Sequence, residues 1–217
     1  EQALGKNEGD IITEEDLAGL EELTYEGKEG AKISDITGLE HCINLTYLNL
    51  DKNLIKVVNP LSNLTNLESL WLQTNEINDV GPLSNLINLK KLELARNEIS
   101  NLSPLTELAK LEHLDITQNV IVVGDIALLA KLKNLKWLAT ESNNLSNIRP
   151  IEDLTNLEFL AIGNNKIVDI SVLSNLTNLT FLGLRNNQIT DLTQLVENTG
   201  ISGKIRLNDN PLSNTAL

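Results

Sequence analysis

A spacing of 22 residues constrains this chain more than any other feature of it. Leucines restart one phrase at Leu45, Leu67, Leu89 and Leu111, and again at Leu135, Leu157 and Leu179. The steps within each group are 22 residues and the step between the groups is 24, so the copy starting at Leu111 carries two extra residues. From Leu67 the phrase reads Leu67-x-x-Leu70-x-Leu72-x-x-Asn75-x-Ile77, then a polar bend, Pro82-Leu83 and Leu86. No single copy can bury its own leucines. Neighbouring copies must therefore stack into a solenoid around one continuous core.

The spelling of a copy follows from its geometry. Alternation at Leu70 and Leu72 turns both side chains to one face of a short strand, so Ser69, Trp71 and Gln73 point to the other. Asn75 follows the strand, where its amide can donate to and accept from turn backbone that no regular ladder satisfies. The same slot holds Asn53, Asn97, Asn119, Asn143, Asn165, Asn187 and Asn210, which predicts a buried asparagine ladder. Losing one such amide should cost roughly 1–3 kcal/mol. Pro60, Pro82, Pro104 and Pro150 share one slot on the return leg and predict short helical turns, where a missing N–H is harmless.

At the N-terminus, residues 1–19 break the repeat. Thr13-Glu14-Glu15-Asp16 ahead of Leu17 and Leu20 reads as a short N-capped helix that covers the first rung. A degenerate rung follows, with Leu20, Leu23 and Tyr25 in the strand slots. Residues 20–195 are read as the repeats, and Gly124–Asn134 as the most helical part of the convex side. Residues 196–217, with Ile205-Arg206-Leu207-x-x-Asn210-Pro211-Leu212, read as a closing repeat, all three segments forming one domain.

Composition narrows the function. The net charge is −13, and residues 1–30 alone hold ten acids and two bases. An acidic chain without a basic stripe argues against nucleic acid and against an anionic membrane surface. The longest apolar runs, Val120–Val123 and Ile126–Ala130, are far too short to span a bilayer, so no membrane insertion is expected. The single cysteine, Cys42, stands in the register of Leu86 and reads as a buried thiol. No nucleophile–base constellation, phosphate loop or paired-cysteine motif is present. His113, Asp115 and Glu93 could meet around a metal, but an open face lacks a water-excluding pocket. The expectation is no enzyme, no metal and no cofactor.

The 22-residue unit is that of a leucine-rich repeat. With Asn-x-Ile after the strand and Pro60-Leu61-Ser62 through Leu67 in the return leg, it resembles the internalin-type repeats of bacterial surface proteins. Gly9 through Leu17 looks like the N-terminal cap of such proteins, and Asn208 through Ser213 is similar to their closing repeat. The resemblance implies an α/β solenoid that is curved, with a parallel sheet on its concave face. Short 3-10 or α segments would lie on the convex face, and a helical cap at the N-terminus. It also implies a secreted or cell-surface bacterial protein, expected to be a monomer, whose concave face grips another protein, in some members a host receptor. The cap is shorter than in the best-known members and residues 1–217 include no immunoglobulin-like module, so the expectation stops at a binding module.

With the leucines placed, the concave columns can be read. Before the second leucine stand Tyr47, Ser69, Lys91, His113, Trp137, Phe159 and Phe181; between the second and third stand Asn49, Trp71, Glu93, Asp115, Ala139, Ala161 and Gly183. After the third come Asp51, Gln73, Ala95, Thr117, Glu141, Gly163 and Arg185. Five of the six aromatics fall in these columns, and only Tyr25 takes a core slot. Adjacent strands lie ~4.8 Å apart, so Trp137, Phe159 and Phe181 should form one strip, with ring faces left uncovered by Ala139, Ala161, Gly163 and Gly183. Such a strip is either a stabilising ladder or an interaction site. The reading taken is a protein partner held by Trp137, Phe159 and Phe181. Tyr47 and Trp71 would make a second contact, and Lys91, Glu93, His113, Glu141 and Arg185 would act as polar selectors. The alternatives are a carbohydrate-binding module stacking sugars on the same rings, and a structural spacer with no ligand.

Overall fold

A computed structural model describes residues 11–213. Residues 1–10 of the expected cap, with Gly9 and Asp10 of its motif, lie outside the described residues, as do 214–217 of the closing repeat.

Among the described residues, nine three-residue strands form one parallel sheet in sequence order. They are β1 (Glu22–Thr24), β2 (Tyr47–Asn49), β3 (Ser69–Trp71), β4 (Lys91–Glu93), β5 (His113–Asp115), β6 (Trp137–Ala139), β7 (Phe159–Ala161), β8 (Phe181–Gly183) and β9 (Lys204–Arg206). Parallel neighbours need a crossover, and each repeat supplies one as an ascending turn, a 3-10 segment and a return leg. The sheet lines the concave side of the curved solenoid and the 3-10 segments its convex side. Register follows the period: Leu48, Leu70, Leu92, Leu114, Leu138, Leu160 and Leu182 pair in turn.

One rung shows what holds the stack together. Leu67, Leu70, Leu72, Ile77, Leu83 and Leu86 are fully buried and Val80 nearly so. Rung joins rung in a single core that runs from Ile36 to Leu192 and includes the buried thiol of Cys42. Proline stands at the second residue of the 3-10 segments Asn59–Leu61, Gly81–Asn85, Ser103–Glu107 and Arg149–Ile151, where its fixed φ suits the turn. An Asx contact starts several of these segments, as where Gly81 N–H donates to Asp79 Oδ1 at 2.8 Å. The copy with two extra residues spends them on an α-turn, α2 (Val123–Ile126), which runs into the 3-10 segment Ala127–Lys131.

The asparagine ladder ties rungs to each other. Asn97 accepts from Ile77 N–H at 3.0 Å and donates to Leu72 O at 2.9 Å and Leu94 O at 3.0 Å. Asn75 repeats the arrangement one rung earlier with Ile55, Leu50 and Leu72. From Asn53 to Asn187 these side chains are buried, whereas Asn210 on the last rung is half-buried. The residue before each, from Lys52 and Thr74 to Asn186 and Asp209, is left-handed, with φ between 50 and 61. A second ladder runs along the return leg: Asn66, Asn88, Asn156 and Asn178 each donate to a carbonyl of the preceding rung at 2.8–3.0 Å. Lys110 takes that slot in one rung and reaches Asn88 Oδ1 instead, at 2.7 Å.

The two ends differ from the middle. Helix α1 (Glu14–Ala18) has a complete capping box, with Asp16 N–H donating to Thr13 Oγ1 at 3.2 Å and Thr13 N–H to Asp16 Oδ2 at 2.8 Å. Leu17 and Leu20 pack against the core. Tyr25 does hold the register of Leu50, but it is 41% exposed and its hydroxyl donates to Ala31 O. A core slot in the first rung has no preceding strand to cover it, so Tyr25 is not a core residue. At the far end Ile205 pairs with Leu182 yet is 38% exposed, for the same reason.

Candidate functional site

Alternation inside each strand sends the middle leucine into the core and its two neighbours onto the concave face. The pairings put Tyr47, Ser69, Lys91, His113, Trp137, Phe159, Phe181 and Lys204 in one row across the strands. Asn49, Trp71, Glu93, Asp115, Ala139, Ala161, Gly183 and Arg206 form the next.

Over β5 to β8 the rings stack. His113 lies on Trp137 with centroids 3.9 Å apart and planes 7° from parallel. Trp137 lies on Phe159 at 4.5 Å and 9°, and Phe159 on Phe181 at 4.4 Å and 8°. The separation matches the spacing of parallel strands, so an in-register sheet holds a stack at no cost in backbone geometry. This corrects the expectation of uncovered ring faces: the faces cover each other, and the half-buried rings offer edges to the concave side. The rings also lean over the second row. A Cβ on Gly183 would sit 3.2 Å from Phe181 Cε1, and Ala139 and Ala161 are only 4% and 6% exposed. Small residues there are what allow the rings to lie down. Beyond Phe181 the Arg206 guanidinium closes the stack, 5.3 Å from the ring centroid.

Toward β3 and β4 the face is polar and tightly paired. Glu93 is only 5% exposed. Its Oε1 lies 3.0 Å from Lys91 Nζ and 2.8 Å from His113 Nε2, and Gln73 Nε2 donates to its Oε2 at 3.2 Å. The His113 contact is electrostatic, since Nε2 has no in-line hydrogen-bond partner among the described residues. Burial works to raise the Glu93 pKa, but His113 and Lys91 outweigh it and hold the carboxyl below its usual value. Lys91 also sits over Trp71, 4.1 Å from the ring centroid, while the Trp71 Nε1 is buried without a described partner. Two flanking carboxylates shift the other way. Asp51 is pushed up to about 6, by burial first and then by Glu93 and Glu26, although Gln73 N–H donates to it at 2.7 Å. Asp115 is raised too, chiefly by burial.

The remaining expected residues fall apart from these groups. Glu141 and Arg185 meet at 3.4 Å across Gly163, where a Cβ would lie 2.7 Å from Glu141 Oε1. Tyr47 is half-buried near the N-terminal end, next to Ser69 rather than to another ring. Sequence reasoning placed every row correctly but missed three participants: His113 as a member of the stack, Gln73 as a partner of Glu93, and Arg206 at the end of the rings. The signal for Arg206 was its place in the Trp71 row, one rung beyond the apparent end of the regular repeats.

The chemistry available is that of a contact surface. Among the described residues no group of three His, Cys, Asp or Glu is arranged to hold a metal, and no helix is long and apolar enough to cross a membrane. Shallow depressions lie toward the first rungs, around Glu21, Asn44 and Glu68 and around Lys32, Lys52 and Arg96, away from the stacked rings.

Comparisons with known proteins agree with this architecture. A family model described as Leucine Rich repeats (2 copies) matches residues 43–85 and 155–197. A search of curated proteins finds no match. Among solved structures, an internalin (inlF) of Listeria monocytogenes is 31% identical, with a TM-score of 0.80 over 98% of this chain and 68% of its own. An internalin C2 (inlC2) of the same species is also 31% identical, with a TM-score of 0.77 over 99% of this chain and 83% of its own. A leucine-rich repeat protein of Leptospira interrogans, 23% identical with a TM-score of 0.75, shares the fold over 94% of this chain and 58% of its own.

Proposed function

This chain belongs to the internalin family of leucine-rich repeat proteins, a fold that generally mediates protein–protein interaction, and we propose that it is the binding module of a bacterial surface or secreted protein. The partner is a protein held on the concave face. Trp137, Phe159 and Phe181 are its apolar contact, Tyr47 and Trp71 a second one, and Lys91, His113, Glu141 and Arg185 set polar selectivity. Glu93 acts through Lys91 and His113, which it holds in place from a buried position. The module is monomeric and non-enzymatic, and residues 1–19, 20–195 and 196–217 serve as cap, repeats and closing repeat of one domain.

One observation carries this reading: the half-buried rings form a single pre-ordered row on an otherwise small-residue or polar face. Aromatic side chains are enriched where binding energy concentrates, and a rigid stack loses little conformational freedom when a partner docks. The stacking also weighs against the carbohydrate reading. A sugar stacks on a ring face, and from His113 to Arg206 the faces are already occupied.

The test is replacement of Trp137, Phe159 and Phe181 together by alanine. Proteins captured from a cell surface by the wild type, then measured by calorimetry, should lose at least about a thousandfold in affinity for the variant, ~2 kcal/mol or more per ring. The variant should still unfold cooperatively, since Leu138, Leu160 and Leu182 beneath the rings are untouched. Unchanged affinity would make the row a stabilising ladder. A glycan array that responds while protein capture stays silent would move the assignment to carbohydrate, and silence in both would leave the spacer reading.

A further inference from the structure

We propose that the concave row has a polarity, and that it takes an acidic, apolar segment of a partner protein whose carboxylates dock at Lys204 and Arg206. The inference rests on the binding reading above and names the partner's chemistry. Near-parallel stacking leaves the rings presenting their edges, and the rim of an aromatic ring is the positive end of its quadrupole. Edges therefore favour carbonyl and carboxylate oxygens over cations.

The ends of the row are unequal. At β9, Lys204 stands in register with Phe181, and Arg206 lies over that ring; both are exposed, and neither is in an ion pair with a described residue. At the opposite end Lys91 is already paired with Glu93, whose Oε1 also lies against His113. Further along the face stand the acids Glu22, in β1, and Asp51, two residues after β2. In a chain of net charge −13 this is a local reversal of sign at one end of an apolar strip. An acidic segment is repelled from β1 and β2 and drawn to β9, which fixes its direction as well as its place. The floor beneath the rings, Ala139, Ala161 and Gly183, carries no side chain that competes for the segment's polar groups.

The test is panning a random-peptide phage library on the immobilised chain, followed by titration of the enriched peptides in solution. Enriched sequences should carry Asp or Glu beside Leu, Ile or Phe. Their affinity should fall at least tenfold in the double variant Lys204→Glu, Arg206→Glu, and should weaken as salt is raised. Both positions are exposed, and a melting curve matching the wild type confirms the variant's fold. Enrichment of basic or uncharged peptides, or acidic peptides bound equally by the double variant, overturns the polarity. Peptides that keep their affinity for the triple ring variant overturn the underlying concave-strip reading instead. Failure to enrich any peptide above a blank surface counts against both.

Discussion

Two rows of side chains run along the same rungs, one on the concave face of the strands and one in the turns that follow them, and they could hardly be less alike. The ladder from Asn53 to Asn187 repeats one residue and one set of bonds on every rung, inside the protein. The concave row from Tyr47 to Lys204 changes residue at nearly every step and faces outward. Uniformity is what a structural position needs, because each rung leaves the same backbone groups unpaired. Variation is tolerated where the backbone asks for nothing, and there a run of three rings in a chain with six aromatics stands out. The difference separates side chains that make the solenoid from side chains that use it.

Four experiments press on that contrast. The largest effect should come from the strand residue that lies between the two rows. Leu92 is fully buried between the outward Lys91 and Glu93, so Leu92→Ala should cost ~2–5 kcal/mol in urea unfolding through lost burial and a cavity. A loss under about half a kcal/mol would mean the inside and outside of the sheet have been exchanged.

Next comes the inner ladder itself. Asn97→Leu strands the Ile77 N–H and takes one of two asparagine donors from each of the Leu72 and Leu94 carbonyls, and should cost about 1–3 kcal/mol by the same assay. Arg206→Ala, a change in an outward row, should stay within about half a kcal/mol. Equal losses for the two would erase the distinction drawn here.

A smaller effect, of opposite sign, is expected just before the ladder. Thr74 is β-branched and left-handed at φ 56, a conformation that costs roughly 1–2 kcal/mol for a residue with a Cβ. Thr74→Gly relieves that strain but adds freedom to the unfolded chain, so a net gain of about half a kcal/mol is expected, read as a higher melting temperature. A lower melting temperature would show that the Thr74 side chain holds the turn by contacts that outweigh its strain.

The subtlest test is acid. Asp51 on the concave side has its folded pKa raised to about 6, against ~3.9 in an unfolded chain. The folded state thus holds the proton more tightly, and stability should rise as pH falls through about 6 and be lost as pH climbs again. Asp115 is raised and adds in the same direction. The lowered Glu93 opposes them only below its unfolded value of ~4.3, outside the window from pH 7 to 5. With solvent screening the gain from Asp51 is of order 1 kcal/mol, and Asp51→Asn should flatten that part of the pH profile. An unchanged slope in Asp51→Asn would place the titration elsewhere.

The repeat alone determined the strand register, the buried leucines, the inner asparagine ladder and the membership of each concave row. Parallel strands one period apart must pair residue by residue, so counting by 22 places every Cα relative to its neighbours. The second ladder, at Asn66, Asn88 and Asn156, follows from the same count. Tertiary structure decided what counting cannot reach, namely how each side chain turns once its neighbours in the next rung are present. Packing laid Phe181 over Gly183, stacked His113 on Trp137 and closed the row with Arg206. It also drew Glu93 into a buried pair and pushed the Asp51 proton affinity up. The backbone repeats and the side-chain torsions do not, because a torsion answers to volume and charge in the adjacent rungs. At the two ends, where one adjacent rung is missing, the same spelling put Tyr25 and Ile205 in core slots that solvent still reaches.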